Sequence, residues 1–487
     1  MNKIIFFFTA MLFFHGMPVS AQNMRYHDSI EAQIKKVENS LAGPIQLKDS
    51  NNAMNLQDRM AYYKIKGLSV AVVNNYKIVW ARGYGWADEG EQRPVTPQTL
   101  FQAGSISKSL NAVGVLKLAQ QKQLDLYQDI NTYLSSWKFP YDSLSKGKKI
   151  TTAHLLSHTA GLSVHGFPGY PNDDTIPSVP QILDGKAPAN TGAVRSLWEP
   201  GLRYKYSGGG TTISQLIVSD ITRQPYHEYM WKEVLQPMGM LLSTYQQPPG
   251  KDRKKFVATG YIGDGKEVAT KFHRYPEQGA AGLWSNPTDL ATYIIETQQT
   301  LRGASAKVLT SEMTKLRLTP YIDSNAALGV FIDKRGTDKY FGHGGADEGF
   351  LSNYTGSFEN GNGAVVMVNS DNGRILNEVI NSVAQVYGWK DYYKPTIKTI
   401  VAVPDSVLAA FTGNYMLDGD SIRVEKLGTQ MFLHVNEREH FTLYFTSPTE
   451  FFLKDLPMQF RLENDSTGKT SAFYMKQGGR ELKASKL

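Results

Sequence analysis

The sequence contains no cysteine. Disulfides, thiol nucleophiles, thiolate metal sites and a lipid-modified N-terminal cysteine are all excluded, so the fold must rest on its core. Charge of either sign is also in short supply: 52 Lys and Arg against 45 Asp and Glu leave a formal +7 over 487 residues. The one dense basic cluster, Lys251-Asp252-Arg253-Lys254-Lys255, has no aromatic or motif support around it. It reads as a solvated loop, and nucleic acid is not an expected partner. Past the N-terminus no apolar run approaches the ~20 residues of a membrane span. A Gly-x-Ser-x-Gly elbow is missing, which argues against an α/β-hydrolase. Gly208-Gly209-Gly210 lacks the Lys-Ser/Thr partner of a phosphate loop. His154 and His158 have zinc-protease spacing, but Leu155 stands where the general-base glutamate belongs. They read as a structural helix end before Gly161, and neither metal nor organic cofactor is expected.

What is present begins with an address. Lys3 precedes an almost wholly apolar stretch, 4–14, and Val19-Ser20-Ala21 supplies small residues for cleavage. Residues 1–21 therefore read as a secretory signal peptide. The expected location is a bacterial periplasm or exterior, with no transmembrane anchor once the signal is removed. The remainder, 41% hydrophobic and 11% aromatic over the whole chain, is ordinary globular composition. Residues 22–66 look helical and charged, with Ser29 a possible cap. Alternation over 67–73 and 77–85 predicts a hairpin around Asn74-Asn75-Tyr76. A helical, Pro/Gly-interrupted middle runs to about 300. Strands return near 326–332, 340–343, 350–358 and 364–369, and a helix near 375–387 closes the unit. Strands at both ends with helices between imply one sheet built from distant segments, an α+β arrangement spanning 22–390. Residues 391–404 read as a linker. Short alternating strands near 421–426, 430–435, 441–445, 450–453, 459–463 and 471–476 then predict a small antiparallel β domain or barrel over 405–487. It carries no cluster of titratable residues that suggests catalysis.

The candidate chemistry starts at Ser105-Ile106-Ser107-Lys108. Residues three apart share a helix face, so Lys108 can reach the Ser105 hydroxyl. A serine alcohol is a poor nucleophile until a neighbour takes its proton. A lysine can do so where burial or nearby positive charge lowers its pKa from ~10.4. The same spacing recurs elsewhere, for example at Ser143/Lys146 and Ser145/Lys148 in a Ser/Lys/Gly-rich turn and at Ser466/Lys469 in a hairpin tip. Only Ser105 leads an apolar, helically spaced run, through Ile106, Leu110 and Val113. This places it at a helix N-terminus, where backbone N–H groups favour developing negative charge. Two further segments stand out. Tyr206-Ser207-Gly208-Gly209-Gly210 sets a tyrosine before small residues that can open toward a cleft, and a phenol there can exchange protons. Phe341-Gly342-His343-Gly344-Gly345-Ala346 places glycines on a strand, where a substrate can approach and N–H groups can bind an oxyanion.

Together and in this order, the three motifs resemble the β-lactamase-related serine hydrolases. The likeness is to the class C β-lactamase side, with its penicillin-binding esterases, D-aminopeptidases and D,D-peptidases. It covers roughly residues 50–390. It takes in Leu155-Leu156-Ser157-His158-Thr159-Ala160-Gly161-Leu162, Trp198-Glu199-Pro200-Gly201 and Leu235-Gln236-Pro237-Met238-Gly239-Met240. The resemblance implies a β-lactamase/transpeptidase-like α+β fold, with a sheet and a helical region. The trailing β domain is similar to the lipocalin-like appendages of this family. Carried onto this chain, the resemblance makes Ser105 the acylated nucleophile and Lys108 its proton acceptor, with Tyr206 as the acid or base shared with Lys108. The N–H groups of Ser105 and Ala346 form the oxyanion hole, and Gly208, His343 and Gly345 line the substrate. Two positions depart from the family. Gly208 stands where an asparagine usually contacts the substrate amide, and His343-Gly344-Gly345 stands where β-lactamases carry Lys-Thr-Gly. Both departures point to the esterase and amidase branch. The expected function is an exported serine hydrolase acting through an acyl-enzyme on ester, amide or D-amino-acid peptide bonds of a small-molecule or peptide substrate. A true β-lactamase or D,D-carboxypeptidase is one alternative, and a catalytically silent cell-wall peptide-binding module is the other. The oligomeric state stays open.

Overall fold

A computed structural model describes residues 25–435, 440–466, 469–477 and 480–487. The proposed 1–21 leader lies outside the described residues. Helix α1 (Asp28–Glu38) sets Asp28 and Glu31 in its first turn and Lys35 and Lys36 in its last, as its dipole favours. The cap is His27, whose ring accepts the Ser29 N–H, and Ser29 itself lies inside the helix rather than capping it. A short strand, Ile45–Leu47, and a second helix, α2 (Leu56–Tyr62), complete a segment that is less uniformly helical than its charge pattern suggests.

The main sheet is built from both ends of this unit. Strands β1 (Gly67–Asn74), β2 (Lys77–Asp88) and β3 (Arg93–Pro94) come early. Strands β4 (Phe331–Arg335), β5 (Asp338–Asp347), β6 (Phe350–Ser357) and β7 (Gly363–Val368) come late. They form one seven-stranded sheet in the order β3-β2-β1-β7-β6-β5-β4. All its pairings are antiparallel, and β1 meets β7 with Val72 opposite Ala364. The β1–β2 turn has Asn75 and Tyr76 both at positive φ, 50° and 62°. Two such central residues match the twist of a tight hairpin.

β1 is buried from Gly67 to Val73, so neither face meets solvent and its apolar run is nearly continuous. Leu68, Val70 and Val72 pack with α1 and with α7 (Arg374–Val386), through residues such as Ile34, Val37, Ile375 and Val379. Ala71 and Val73 face the opposite layer. There they meet α3 (Ser107–Gln120) and α6 (Pro287–Leu301), through Leu110, Val113, Leu290 and Ile294. Two further helices complete this layer, α4 (Gly208–Thr222) and the single turn α5 (Gln278–Ala281).

Within the 391–404 segment read as a linker, Thr396–Lys398 forms a strand that pairs in parallel with Ile45–Leu47. The chain then enters α8 (Asp405–Phe411) and a closed antiparallel barrel. Its eight strands are β8 (Gly413–Leu417), β9 (Asp420–Leu427), β10 (Gln430–His434), β11 (His440–Phe445), β12 (Glu450–Leu453), β13 (Leu456–Asn464), β14 (Thr470–Gln477) and β15 (Arg480–Lys486). The first and last close the ring, with Tyr415 opposite Lys486. The barrel core is aromatic: Phe411, Tyr415, Phe445, Phe451, Phe460 and Phe473 pack together, with Phe411 supplied by α8.

Candidate active site

Ser105 lies in a single 3₁₀ turn, Gly104–Ile106, that runs straight into α3. The turn is possible because Gly104 adopts φ +51°, and a Cβ there would sit 2.4 Å from the Ala346 nitrogen on β5. On the facing side, a Cβ on Gly345 would sit 1.9 Å from the Ala103 carbonyl oxygen. These two glycines let the Ser105 turn and the sheet edge approach this closely. The Ser352 hydroxyl on β6 ties the two together by donating to the Ala103 carbonyl at 3.0 Å. The Ser105 turn thus abuts Ala346 near the end of β5.

One turn past Ser105, at the start of α3, Lys108 is buried, with its Nζ 3.0 Å from Ser105 Oγ and 2.7 Å from the Ala280 carbonyl on α5. The Tyr206 ring lies under it, 5.0 Å from Nζ to the ring centroid. Tyr206 is held by rings on both sides: His158 at 4.2 Å and His165 at 4.8 Å between centroids. His158 follows the short helix Thr152–Leu156 at φ +59° and accepts the Ser207 N–H at 3.2 Å. Ser207 caps α4 by accepting the Gly210 N–H, so the start of α4 and the Tyr206 ring are fixed together. His154 forms a capping box with Thr151, which is the structural role its sequence context suggests. Among the described residues no group of three His, Cys, Asp or Glu is arranged to hold a metal ion.

A cavity of about 500 Å³ opens over Ser105. Tyr204, Tyr206, Phe331 and His165 form an aromatic wall, and His343, Gly344, Gly345 and Ala346 form the β5 edge. Ser352, Asn353, Gly373, Leu376 and Asn377 form the opposite wall. His343 is buried, and its Nδ1 lies 2.6 Å from the Gly344 carbonyl. A carbonyl only accepts, so Nδ1 carries the proton and Nε2 is left as a bare acceptor without a partner among the described residues. Burial, with the charge of Lys108 adding to it, pushes the His343 pKa down to about 3. Burial also holds His158 and His165 below the usual histidine range, with Lys108 contributing. The imidazoles around the cavity are therefore neutral at neutral pH.

Of the sequence-derived candidates, Ser105, Lys108, Tyr206, His343, Gly345 and Ala346 converge here. Gly208 does not line the cavity. It is buried at the start of α4, and a Cβ there would lie 3.0 Å from both the His165 carbonyl oxygen and the Phe167 ring. In two of the other Ser/Lys pairs, side chains are occupied elsewhere: Ser145 Oγ donates to the Asp142 carbonyl, and Lys146 and Lys148 pair with Glu199.

Two buried carboxyl groups near Lys108 escaped the sequence reading. Glu277 immediately precedes α5, and burial raises its pKa to about 8. Asp347 ends β5, and burial raises its pKa well above the carboxylate range, opposed by the nearby Lys108. The available signal was the small-residue run Gln278-Gly279-Ala280-Ala281. It lets α5 press onto α3 so closely that a Cβ on Gly279 would lie 2.8 Å from Asn111 Oδ1.

A family model described as Beta-lactamase matches residues 53–385. PbpX of Bacillus subtilis (strain 168), named as a penicillin-binding protein, is 26% identical over 337 residues, which span 67% of this chain and 76% of that one. Protein Flp of Staphylococcus aureus (strain N315) is 27% identical over 227 residues, 46% of this chain and 42% of that one. The chain thus spans less than half the length of this relative. Among solved structures, the octameric penicillin-binding protein homologue from Pyrococcus abyssi superposes with a TM-score of 0.61 at 20% identity, covering 88% of this chain and 98% of that one. SurE superposes at 0.55, also at 20% identity, covering 88% and 97%. At these identities the structural likeness speaks for the fold.

Proposed function

This chain belongs to the beta-lactamase family, and from that premise we propose that it is an exported serine hydrolase working through an acyl-enzyme at Ser105. Its substrates in this reading are esters, amides or D-amino-acid peptides, with uncharged acyl groups favoured. The observation that carries the reading is the 3.0 Å contact between Lys108 Nζ and Ser105 Oγ beneath an open cavity. Lys108 Nζ, once it has given up its own proton, takes the hydroxyl proton as Oγ bonds to the substrate carbonyl carbon. The carbonyl oxygen gains negative charge between the N–H groups of Ser105 and Ala346, at the positive end of α3. The Tyr206 hydroxyl and Lys108 return the proton to the leaving group as its bond to carbon breaks. Water then attacks the acyl carbon and gives a proton to the same pair, which passes it to Oγ as the acyl–Oγ bond breaks, releasing the acid and regenerating Ser105. Export rests on the N-terminal leader, and among the described residues no helix is long and apolar enough to cross a membrane.

The preference for uncharged substrates rests on the walls of the cavity. Its lining contains no arginine or lysine, and its one imidazole on β5 is neutral. A substrate carboxylate finds no cation on these walls, and each polar contact left unmade costs on the order of 1–3 kcal/mol. Activated esters should therefore exceed benzylpenicillin in kcat/KM by at least about 100-fold, or ~2.7 kcal/mol of transition-state preference. The test is a p-nitrophenyl ester series run beside benzylpenicillin on purified protein and on Ser105→Ala. The ester preference should be clear and Ser105→Ala should lose hydrolysis. Penicillin turnover equal to ester turnover would favour the β-lactamase alternative instead. His343→Lys should narrow the gap by itself. Gly208→Asn should not help, because a side chain there meets His165 and Phe167 rather than substrate.

A further inference from the structure

We infer that the C-terminal barrel selects the acyl group of the substrate, by fixing the helix that forms one wall of the catalytic cavity. The inference rests on the hydrolase reading above.

Gly373, Leu376 and Asn377, at the start of α7, line the cavity. Asn377 Oδ1 accepts from Asn353 Nδ2 at 3.0 Å, and Asn353 sits opposite Gly344 in the β5–β6 ladder. The helix wall is thus joined directly to the strand that carries His343 and Ala346. Arg374 and Glu378 share another face of the same two turns, being four residues apart. That face holds the barrel. The Arg374 guanidinium lies 4.6 Å over the Phe441 ring of β11.

Glu378 is almost fully buried and accepts from Arg59 twice, at 2.9 Å from Nε and 2.5 Å from Nη2, and from the Tyr63 hydroxyl at 2.7 Å. The same Arg59 Nη2 reaches Asp455 of the barrel at 3.1 Å, in the turn between β12 and β13. One guanidinium on α2 therefore holds a carboxylate of the cavity-wall helix and a carboxylate of the barrel. Side chains at this junction are 12%, 4% and 17% exposed for Arg59, Glu378 and Asp455. Water competes little there, and breaking one partner leaves an uncompensated charge. The start of α7 also has little slack, since a Cβ on Gly373 would lie 2.8 Å from Leu351 Cδ1. A change in barrel seating is thus transmitted to Leu376 and Asn377, which face substrate, and not to Lys108 or Ser105. Asp455, Arg59 and Phe441 are positioning residues in this account.

The experiment uses the full chain and p-nitrophenyl esters from acetate to octanoate, with Asp455→Asn, Asp455→Glu and Phe441→Ala on the barrel side and Leu376→Ala on the wall. In Asp455→Asn and Phe441→Ala, KM for octanoate should rise by about fivefold or more. Turnover of the acetate ester and the rate of fluorophosphonate labelling should stay within about twofold. Asp455→Glu should restore the original profile. Leu376→Ala should reshape the chain-length profile directly, and its combination with Asp455→Asn should change KM by less than the product of the single effects. A uniform loss over all chain lengths, or an unchanged profile in folded Asp455→Asn and Phe441→Ala, overturns the inference. If Asp455→Asn does not fold, Phe441→Ala carries the test alone. Ester turnover that survives Ser105→Ala instead overturns the hydrolase reading, so the two failures are distinct.

Discussion

Lys108 reaches Ser105 from one helical turn away, and its second bond goes to a main-chain carbonyl, Ala280, rather than to a carboxylate. With the Tyr206 ring beneath it, the amine and the phenol form one proton-handling unit in the proposed mechanism. Lys108→Ala and Tyr206→Phe should each lower turnover by roughly 10²–10⁴-fold, the range of a general acid or base. The double variant should lose far less than the product of the two, as groups acting together do. Steady-state kinetics on the three variants checks this, and fully multiplicative losses would make the two residues independent. Two neighbouring residues give stability an opposed pH dependence. Buried His343 has its pKa at about 3 against an ordinary 6.5, so between those values the unfolded chain binds a proton the folded chain does not. Stability gains from His343 as pH rises through that window. Buried Glu277 has its pKa at about 8 against an ordinary 4.5, so there the folded chain keeps a proton the unfolded chain releases. Stability loses from Glu277 as pH rises from about 4.5 to about 8. Glu277→Gln preserves the shape and removes the second effect. Its thermal midpoint should therefore drop less between pH 5 and pH 8 than that of the unmodified protein. Equal drops in the two proteins would contradict this assignment. The Ser105–Lys108 contact was legible because i,i+3 spacing in an apolar-patterned helix dictates it. Glu277 was not, because a lone acid beside small residues looks like any exposed turn until the fold covers it.

At the scale of elements, the site depends on a turn and a strand that touch through glycine. Gly345→Ala places a methyl group where the Ala103 carbonyl oxygen lies, so the Ser105 turn must move away from β5. Overpacking of this kind costs on the order of 1–3 kcal/mol and here falls on the two N–H groups proposed for the oxyanion. The labelling rate at Ser105 should fall by about 10²-fold or more, with far-ultraviolet circular dichroism unchanged. A labelling rate equal to that of the unmodified protein would show that the close approach is not needed. The β1–β2 hairpin was readable because alternation and an Asn-Asn turn coincide. Gly208 was misplaced because glycine after Tyr206-Ser207 looks open to substrate in one dimension. In the fold it is the first residue of α4, turned toward His165 and Phe167. The short strand at Thr396–Lys398 carried no pattern of its own, since it exists only by pairing with Ile45–Leu47, some 350 residues earlier.

At the scale of the whole molecule, three apolar cores among the described residues divide the work. One lies between the sheet and α3, α4 and α6, one lies between the sheet and α1 and α7, and one fills the barrel. The α+β arrangement was legible because strands cluster at both ends of the first 390 residues. Six barrel strands were legible by alternation, whereas β8 and β15 showed only when the ring closed. The junction through Arg59, Glu378 and Asp455 could not be read at all, because its members stand 319 and 396 positions from Arg59. Everything proposed for this architecture converges on one hydroxyl. The most direct measurement is reaction with a fluorophosphonate probe, followed by digestion and mass spectrometry. The account predicts a single phosphonylated peptide carrying Ser105, absent from Ser105→Ala and unchanged in Ser143→Ala and Ser466→Ala. Labelling that persists in Ser105→Ala, or maps to Ser143 or Ser466, would contradict it.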